Sequence, residues 1–223
     1  MMDFVFMLTR SDRTVPDCLA LVDELRPLGL THVGFKDVGV SAEVAAQLVA
    51  KIREQGATSY LEVVSTTAEE CASSARLARQ IGVDRLLGGT RAEEILLQIL
   101  DGSAVAYLPF PGRPFGHPTQ LGGSPGDIAA DCARFRSLGC AGVDLLAYRA
   151  TEADPIELVR AARGATDGIL LVAGGVSNAE RVRALAAAGA DAFTVGSAAF
   201  DGTFAPGAGG LQEQLRAVLD ACR

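Results

Sequence analysis

Only two of the twenty basic residues in this 223-residue chain are lysines, Lys36 and Lys51. Lys51 falls in a stretch that reads as an exposed helix. Lys36 follows the apolar run His32-Val33-Gly34-Phe35. A lysine held among apolar walls is expected to lose its proton easily, and so to attack a carbonyl as a Schiff-base nucleophile or to act as general base. The competing reading pairs Lys36 with Asp37 and leaves both to steady a loop. Glu62 interrupts another apolar run, Tyr60-Leu61-Glu62-Val63-Val64. Burying a carboxylate without a partner is expensive, so Glu62 needs a cation or a task, and Lys36 on the neighbouring strand is the expected partner. Asp144 repeats the pattern in Val143-Asp144-Leu145-Leu146, with Tyr148 expected further along the same strand face as a substrate contact. Lys36, Glu62 and Asp144 together suit proton transfer. A salt bridge within a core layer is the alternative for each acid.

A second group of residues suits anion binding. Leu170-Leu171-Val172-Ala173-Gly174-Gly175-Val176-Ser177 and Ala192-Phe193-Thr194-Val195-Gly196-Ser197 each run from an apolar strand into glycine. Gly174, Gly175 and Gly196 carry no Cβ to keep backbone N–H groups away from an anion, and a short helix opening at Ser197 would add its positive end. Simple turns after two strands would use the same glycines. Phosphate binding at Gly174, Gly175, Gly196 and Ser197 is the expectation.

The third candidate is the segment from Pro109 to Ser124, rich in proline and glycine, which reads as a long loop. Long loops in compact domains commonly serve as lids or binding walls. Arg113 could clamp a carboxylate or second phosphate, and His117 could exchange a proton near neutrality. Both are candidate substrate contacts. The prolines equally suit a rigid wall.

The elements that would position these residues follow a repeat. An Ala-rich amphipathic stretch ends in glycine and a short apolar run follows, at Gly29, Gly56, Gly82, Gly139 and Gly189. Glycine there closes a helix in the left-handed conformation, and runs of four to eight apolar residues suit strands buried on both faces. With strands at Asp3–Leu8, Ala104–Leu108 and Gly168–Val172, eight strands alternate with helices near 15–27, 42–55, 68–81, 91–100, 125–138, 155–163, 178–188 and 208–221. That rhythm predicts a single-domain (β/α)8 barrel spanning 1–223, with an open doubly wound sheet as runner-up. In such a barrel the loops after the strands build the site. This rule selects Arg10, Asp12, Lys36, Glu62, Asp144 and Arg149 among others. His32, at the start of its strand, is expected to be structural.

Here the sequence resembles the ribulose-phosphate-binding barrel superfamily. The likeness is specific over about 168–200 and extends through the βα rhythm to the whole chain. It implies a phosphate cradle after strands seven and eight and leaves the reaction open. A shorter likeness around Lys36 links the chain to a barrel enzyme of furan phosphate synthesis, whose reaction is aldolase-like and which also carries a lysine after an apolar second strand. The paired aspartates of the histidine-pathway isomerases, the Asp-x-Lys-x-x-Asp signature of the decarboxylases and the zinc-binding histidines of ribulose-phosphate epimerase have no counterparts here. The same cradle resembles the phosphate grip of flavin-binding barrels.

Composition sets the outer bounds. The chain is 49% hydrophobic and only 5% aromatic, which calls for an aliphatic core. A net charge of −7 without a basic stripe argues against nucleic acid as partner. Five cysteines with no metal spacing read as reduced, mostly buried thiols, and the single mouth histidine rules out a site of several histidines. No apolar run is long enough for a membrane, and the sequence suggests a cytoplasmic protein with room for a homo-oligomer. The expected function is a lyase, aldolase-like, or an isomerase of a small phosphorylated carbonyl compound or sugar phosphate, with no cofactor and no metal. An FMN oxidoreductase and a non-catalytic metabolite-binding barrel are the alternatives.

Overall fold

The computed structural model describes residues 2–223. Eight parallel strands form one sheet: β1 (Asp3–Met7), β2 (His32–Lys36), β3 (Thr58–Val63), β4 (Arg85–Gly88), β5 (Ala106–Leu108), β6 (Gly142–Leu145), β7 (Ile169–Val172) and β8 (Ala192–Val195). Each pairs with its sequence neighbour, and β8 returns to β1, with Asp3 opposite Ala192 and Phe6 opposite Val195. Two backbone bonds join β5 to β6, Ala141 N–H to Tyr107 O and Asp144 N–H to Pro109 O, both 3.0 Å. The sheet therefore closes into the expected (β/α)8 barrel.

The helices start and stop for local reasons. Ser41, Thr67, Ser124, Asp154 and Asn178 cap α2 (Ala42–Glu54), α3 (Ala68–Ile81), α5 (Pro125–Leu138), α6 (Pro155–Ala165) and α7 (Ala179–Ala188) by accepting from backbone N–H groups in the first turn. Gly82, Gly139 and Gly189 end three of these helices in the left-handed region. The core is aliphatic, with Val5, Leu61, Leu86, Leu145, Leu170 and Leu171 fully buried.

Two segments depart from expectation. The helix expected near 15–27 is α1 (Cys18–Glu24) followed by a 3-10 turn Arg26–Leu28, since Pro27 has no N–H to continue the ladder. The one near 91–100 is a single turn, α4 (Ala92–Glu94), running into a π-helical stretch Ile95–Ile99. A four-residue helix α8 (Ser197–Phe200) follows β8, and α9 (Leu211–Ala221) ends the chain's helices.

The loops hold two hairpins that the strand rhythm does not announce. After β1, Thr9–Arg10 pairs with Arg13–Thr14. Its two-residue turn puts Ser11 and Asp12 at φ 50° and 57°, the left-handed pair that matches hairpin twist. After β5, Arg113–Phe115 pairs with Gln120–Gly122. The segment 110–124 is thus a hairpin and not an unstructured loop. Among the described residues no helix is long and apolar enough to cross a membrane.

Candidate active site

Register alone brings the two central groups together. Strands β2 and β3 pair Lys36 directly with Glu62. Lys36 Nζ lies 3.1 Å from Glu62 Oε1 and 2.8 Å from Asp12 Oδ1, and all three side chains are nearly buried. Backbone placement of the lysine is equally firm. The Thr14 hydroxyl accepts from Lys36 N–H and donates to Lys36 O, both at 2.8 Å.

This surrounding reverses one expectation. Burial would lower the Lys36 pKa, but the charges of Glu62 and Asp12 outweigh it and raise it above the ordinary lysine value. The resting amine is a protonated ammonium. Asp37 is not its partner either: that carboxylate accepts from Ser74 Oγ at 2.5 Å and from Val64 N–H at 3.0 Å, joining α3 to the end of β3.

Asp12 is held by a second cation. Arg149 meets it with two nitrogens, at 2.9 Å to Oδ1 and 3.2 Å to Oδ2, and donates to Thr119 O at 3.1 Å. Burial pushes the Asp12 pKa up, yet the Arg149 hydrogen bonds and the Lys36 charge hold it well below the usual carboxylate range. The sequence marks Asp12 and Arg149 only as residues beyond strand ends. Their pairing spans 137 positions, and no pattern in a single sequence announces it.

The glycine segments share a cavity with these groups. A pocket of about 140 Å³ is lined by Lys36, Glu62, Asp12 and Arg149 on one side and by Gly174, Gly175, Gly196 and Ser197 on the other. Gly174 and Gly175 sit at φ 73° and 79°, conformations that side chains rarely adopt. A Cβ on Gly174 would run into the Arg149 side chain, and one on Gly196 would come within 2.8 Å of Thr9 O. Among the described residues, the N–H groups of Gly175, Val176 and Ser197 donate to no backbone or side-chain acceptor.

The remaining candidates fall elsewhere. Tyr148 lies in a 3-10 turn, Ala147–Arg149, and not on the β6 strand face. It does not line the pocket; it stacks under the Arg181 guanidinium at 4.5 Å and packs against Gly175, so it supports the glycine loop from behind. Arg113 and His117 are on the second hairpin, exposed and off the pocket wall. Arg113 pairs with Glu152 at 2.9 Å, and Glu152 also accepts from Gly123 N–H, which fastens the hairpin base to the loop after β6. Asp144 is fully buried on β6, outside the pocket wall, and neither carboxyl oxygen has a hydrogen-bond partner. Burial first, then the nearby Glu62 charge, pushes its pKa well above the usual range. His32 lies at the start of β2, with Tyr60 Oη 3.0 Å from its Nδ1, in the structural role expected of it.

Comparison with known proteins adds a family match and a fold. The histidine biosynthesis protein family matches residues 116–204, the stretch that carries both glycine segments. A tryptophan synthase complex from Pyrococcus furiosus superposes with TM-score 0.68 at 16% identity, over 98% of each chain. A mutant tryptophan synthase alpha-subunit from the same organism gives 0.65 at 16%, again over 98% of each. A protein from Aquifex aeolicus VF5 gives 0.68 at 13%, over 100% of this chain and 93% of that one. No curated protein matches the sequence. The family match supports the resemblance to the ribulose-phosphate-binding barrels, the structural matches show the barrel fold, and no subfamily is singled out.

Proposed function

We propose that this barrel is an enzyme acting on a small phosphorylated carbonyl compound, as a lyase or isomerase. The observation that carries the reading is the shared cavity. The glycine segments and the Lys36–Glu62 pair face one space of about 140 Å³. That is well below the roughly 300 Å³ at which drug-sized pockets begin, so the substrate is short. Its phosphate would sit on the N–H groups of Gly175 and Ser197. The opposite end then falls against Lys36 and Glu62.

Those two groups suit a reaction that builds charge on a carbonyl oxygen. The Glu62 carboxylate takes a proton from the carbon next to the carbonyl. The freed electron pair forms a carbon–carbon double bond, and the oxygen that gains charge is neutralised by the Lys36 ammonium. Where the neighbouring carbon carries a hydroxyl, its proton passes to the former carbonyl oxygen and the carbon's proton returns to the former carbonyl carbon. A new carbonyl forms on the neighbouring carbon, which completes an isomerisation. In a substrate with a β-hydroxyl, Glu62 takes the hydroxyl proton instead. The bond between the α and β carbons breaks, and a carbonyl forms at the β carbon. The electron pair of that bond passes into an enolate held by the Lys36 ammonium, and the Glu62 carboxyl returns the proton to the α carbon. Covalent attack by Lys36 first requires its proton to pass to Glu62 or Asp12, the two acceptors within 3.1 Å.

The test is mass spectrometry against a panel of sugar and keto phosphates in deuterated water, with and without borohydride. Deuterium entering one substrate supports proton abstraction, and a reduced adduct on Lys36 assigns the covalent route. If no compound exchanges or cleaves, and one binds equally well after Lys36→Met, the barrel is a metabolite-binding protein. A yellow purified protein would point to the flavin alternative.

A further inference from the structure

We propose that Asp12 is a positioning residue that ties the anion cradle to Lys36. This rests on the reading of Gly174–Gly175 and Gly196–Ser197 as that cradle. Asp12 touches the lysine amine, and its own location is fixed by arms reaching to both halves of the cradle. The first arm is Arg149, whose side chain lies across the Cα of Gly174 while its guanidinium grips both Asp12 oxygens. The second is the hairpin turn: Ser11 N–H donates to Ser197 Oγ at 3.1 Å, and Ser11 is the residue beside Asp12. A third tether, Arg10 Nε to Asp201 Oδ1 at 2.7 Å, holds the hairpin against the end of α8.

The two-residue hairpin turn itself sets the left-handed conformation of Ser11 and Asp12. The bonds to Ser197 and Arg149 then fix where that turn holds the Asp12 carboxylate. An anion that draws the Ser197 hydroxyl proton makes Oγ a better acceptor for Ser11 N–H, and so tightens the turn that presents Asp12. Arg149 connects Gly174 to the same carboxylate. Cradle occupancy and the charge held on Lys36 are thereby linked through Asp12, and the phosphate end of a substrate contributes to the chemical step as well as to binding.

Having only two lysines makes the link measurable in the intact protein. Limited acylation followed by mass spectrometry reads the free-amine fraction of Lys36, with Lys51, which pairs with Asp23, as internal reference. At about pH 8.5, Asp12→Asn should raise the Lys36 rate relative to Lys51 by about tenfold or more, the equivalent of one pKa unit. Ser197→Ala should raise it in the same direction by less, although Ser197 makes no contact with Lys36. An Asp12 that only partners the lysine locally would leave Ser197→Ala at the wild-type ratio, and that result overturns the proposal even if Asp12→Asn does not fold. Backbone amide shifts on titrating inorganic phosphate are read in parallel. Shifts at Gly175, Gly196 and Ser197 support the cradle; their absence overturns the cradle reading while the acylation ratios still report on the Ser197–Ser11–Asp12 link.

Discussion

Lys36 Nζ lies 3.1 Å from Glu62 Oε1, and the two residues stand opposite each other in the register of β2 and β3. The pair is a product of strand pairing and not of a flexible side chain finding a partner. Thr14 clamps the lysine's backbone on both its N–H and its carbonyl, so the ammonium is delivered to one place. A group positioned this firmly suits chemistry that needs charge at a defined oxygen.

Replacing Lys36 with Arg keeps the charge but presents a planar fork in place of a compact ammonium, and guanidinium does not deprotonate in proteins. The variant should fold and bind inorganic phosphate, yet lose turnover by several orders of magnitude on whichever substrate the panel identifies. Retention of much of the activity would reduce Lys36 to a counter-ion. Lys36→Met is the harsher change. It strands the buried Glu62 carboxylate, and urea unfolding should show a loss of about 3–5 kcal/mol near neutral pH.

The cradle glycines differ from an ordinary glycine in sign. Gly175 sits at φ 79°, and a Cβ there would meet Tyr148 Cβ at 2.9 Å. Gly175→Ala should cost about 1–3 kcal/mol of stability and weaken phosphate binding in calorimetry. Gly164, inside α6, has open space around its missing Cβ. Gly164→Ala should stabilise by roughly 0.5–1 kcal/mol and leave phosphate affinity alone. Equal effects at both positions would remove the special status of the cradle.

The barrel was legible because its signals are local. Glycine after an amphipathic stretch and a short apolar run are read within ten residues, and α3 and α5 fall on their expected spans. Lys36 and Glu62 could be paired because neighbouring strands in a barrel are sequence neighbours. Asp12 and Arg149 could not be paired with each other or with Lys36. Their contact depends on a hairpin turn of two residues other than glycine and on a loop brought round from β6. Arg113 was drawn away by Glu152, thirty-nine positions downstream, a partner invisible to local pattern. The Lys36 pKa went the opposite way from expectation for the same reason: apolar neighbours in sequence gave no sign of two carboxylates in space.

The hairpin from Arg113 to Gly122 changes what a lid could be. Its base is fastened by Arg113 to Glu152, by Gly123 N–H to Glu152 and by Gly112 N–H to Asp131. Its tip, from Gly116 to Pro118, is exposed, while Thr119 beyond it is buried and bonded to Arg149. Hydrogen exchange should therefore find the base protected at all times, with ligand-dependent slowing confined to the tip and to Thr119. Uniform slowing from 110 to 123 would restore the picture of a whole moving loop. No change anywhere would make it a fixed wall.

Asp144 should leave its mark on the pH dependence of stability. Its carboxyl is fully buried without a hydrogen-bond partner, and its pKa stands well above the usual carboxylate value. Below about pH 4 the folded and unfolded chains both hold its proton, and its burial contributes fully. As pH rises through that value, the unfolded chain releases the proton and the folded chain keeps it. Unfolding is thereby favoured, and stability falls with pH until the folded-state pKa is reached. Within this window the wild type should lose about 1.4 kcal/mol per pH unit relative to Asp144→Asn, which cannot titrate. Urea unfolding of both proteins between about pH 4.5 and 7 reads the difference directly, and contributions common to both, such as Asp37, cancel. Curves that stay parallel across the range would mean that Asp144 is ionised in the fold, and a buried cationic partner would then have to be found for it.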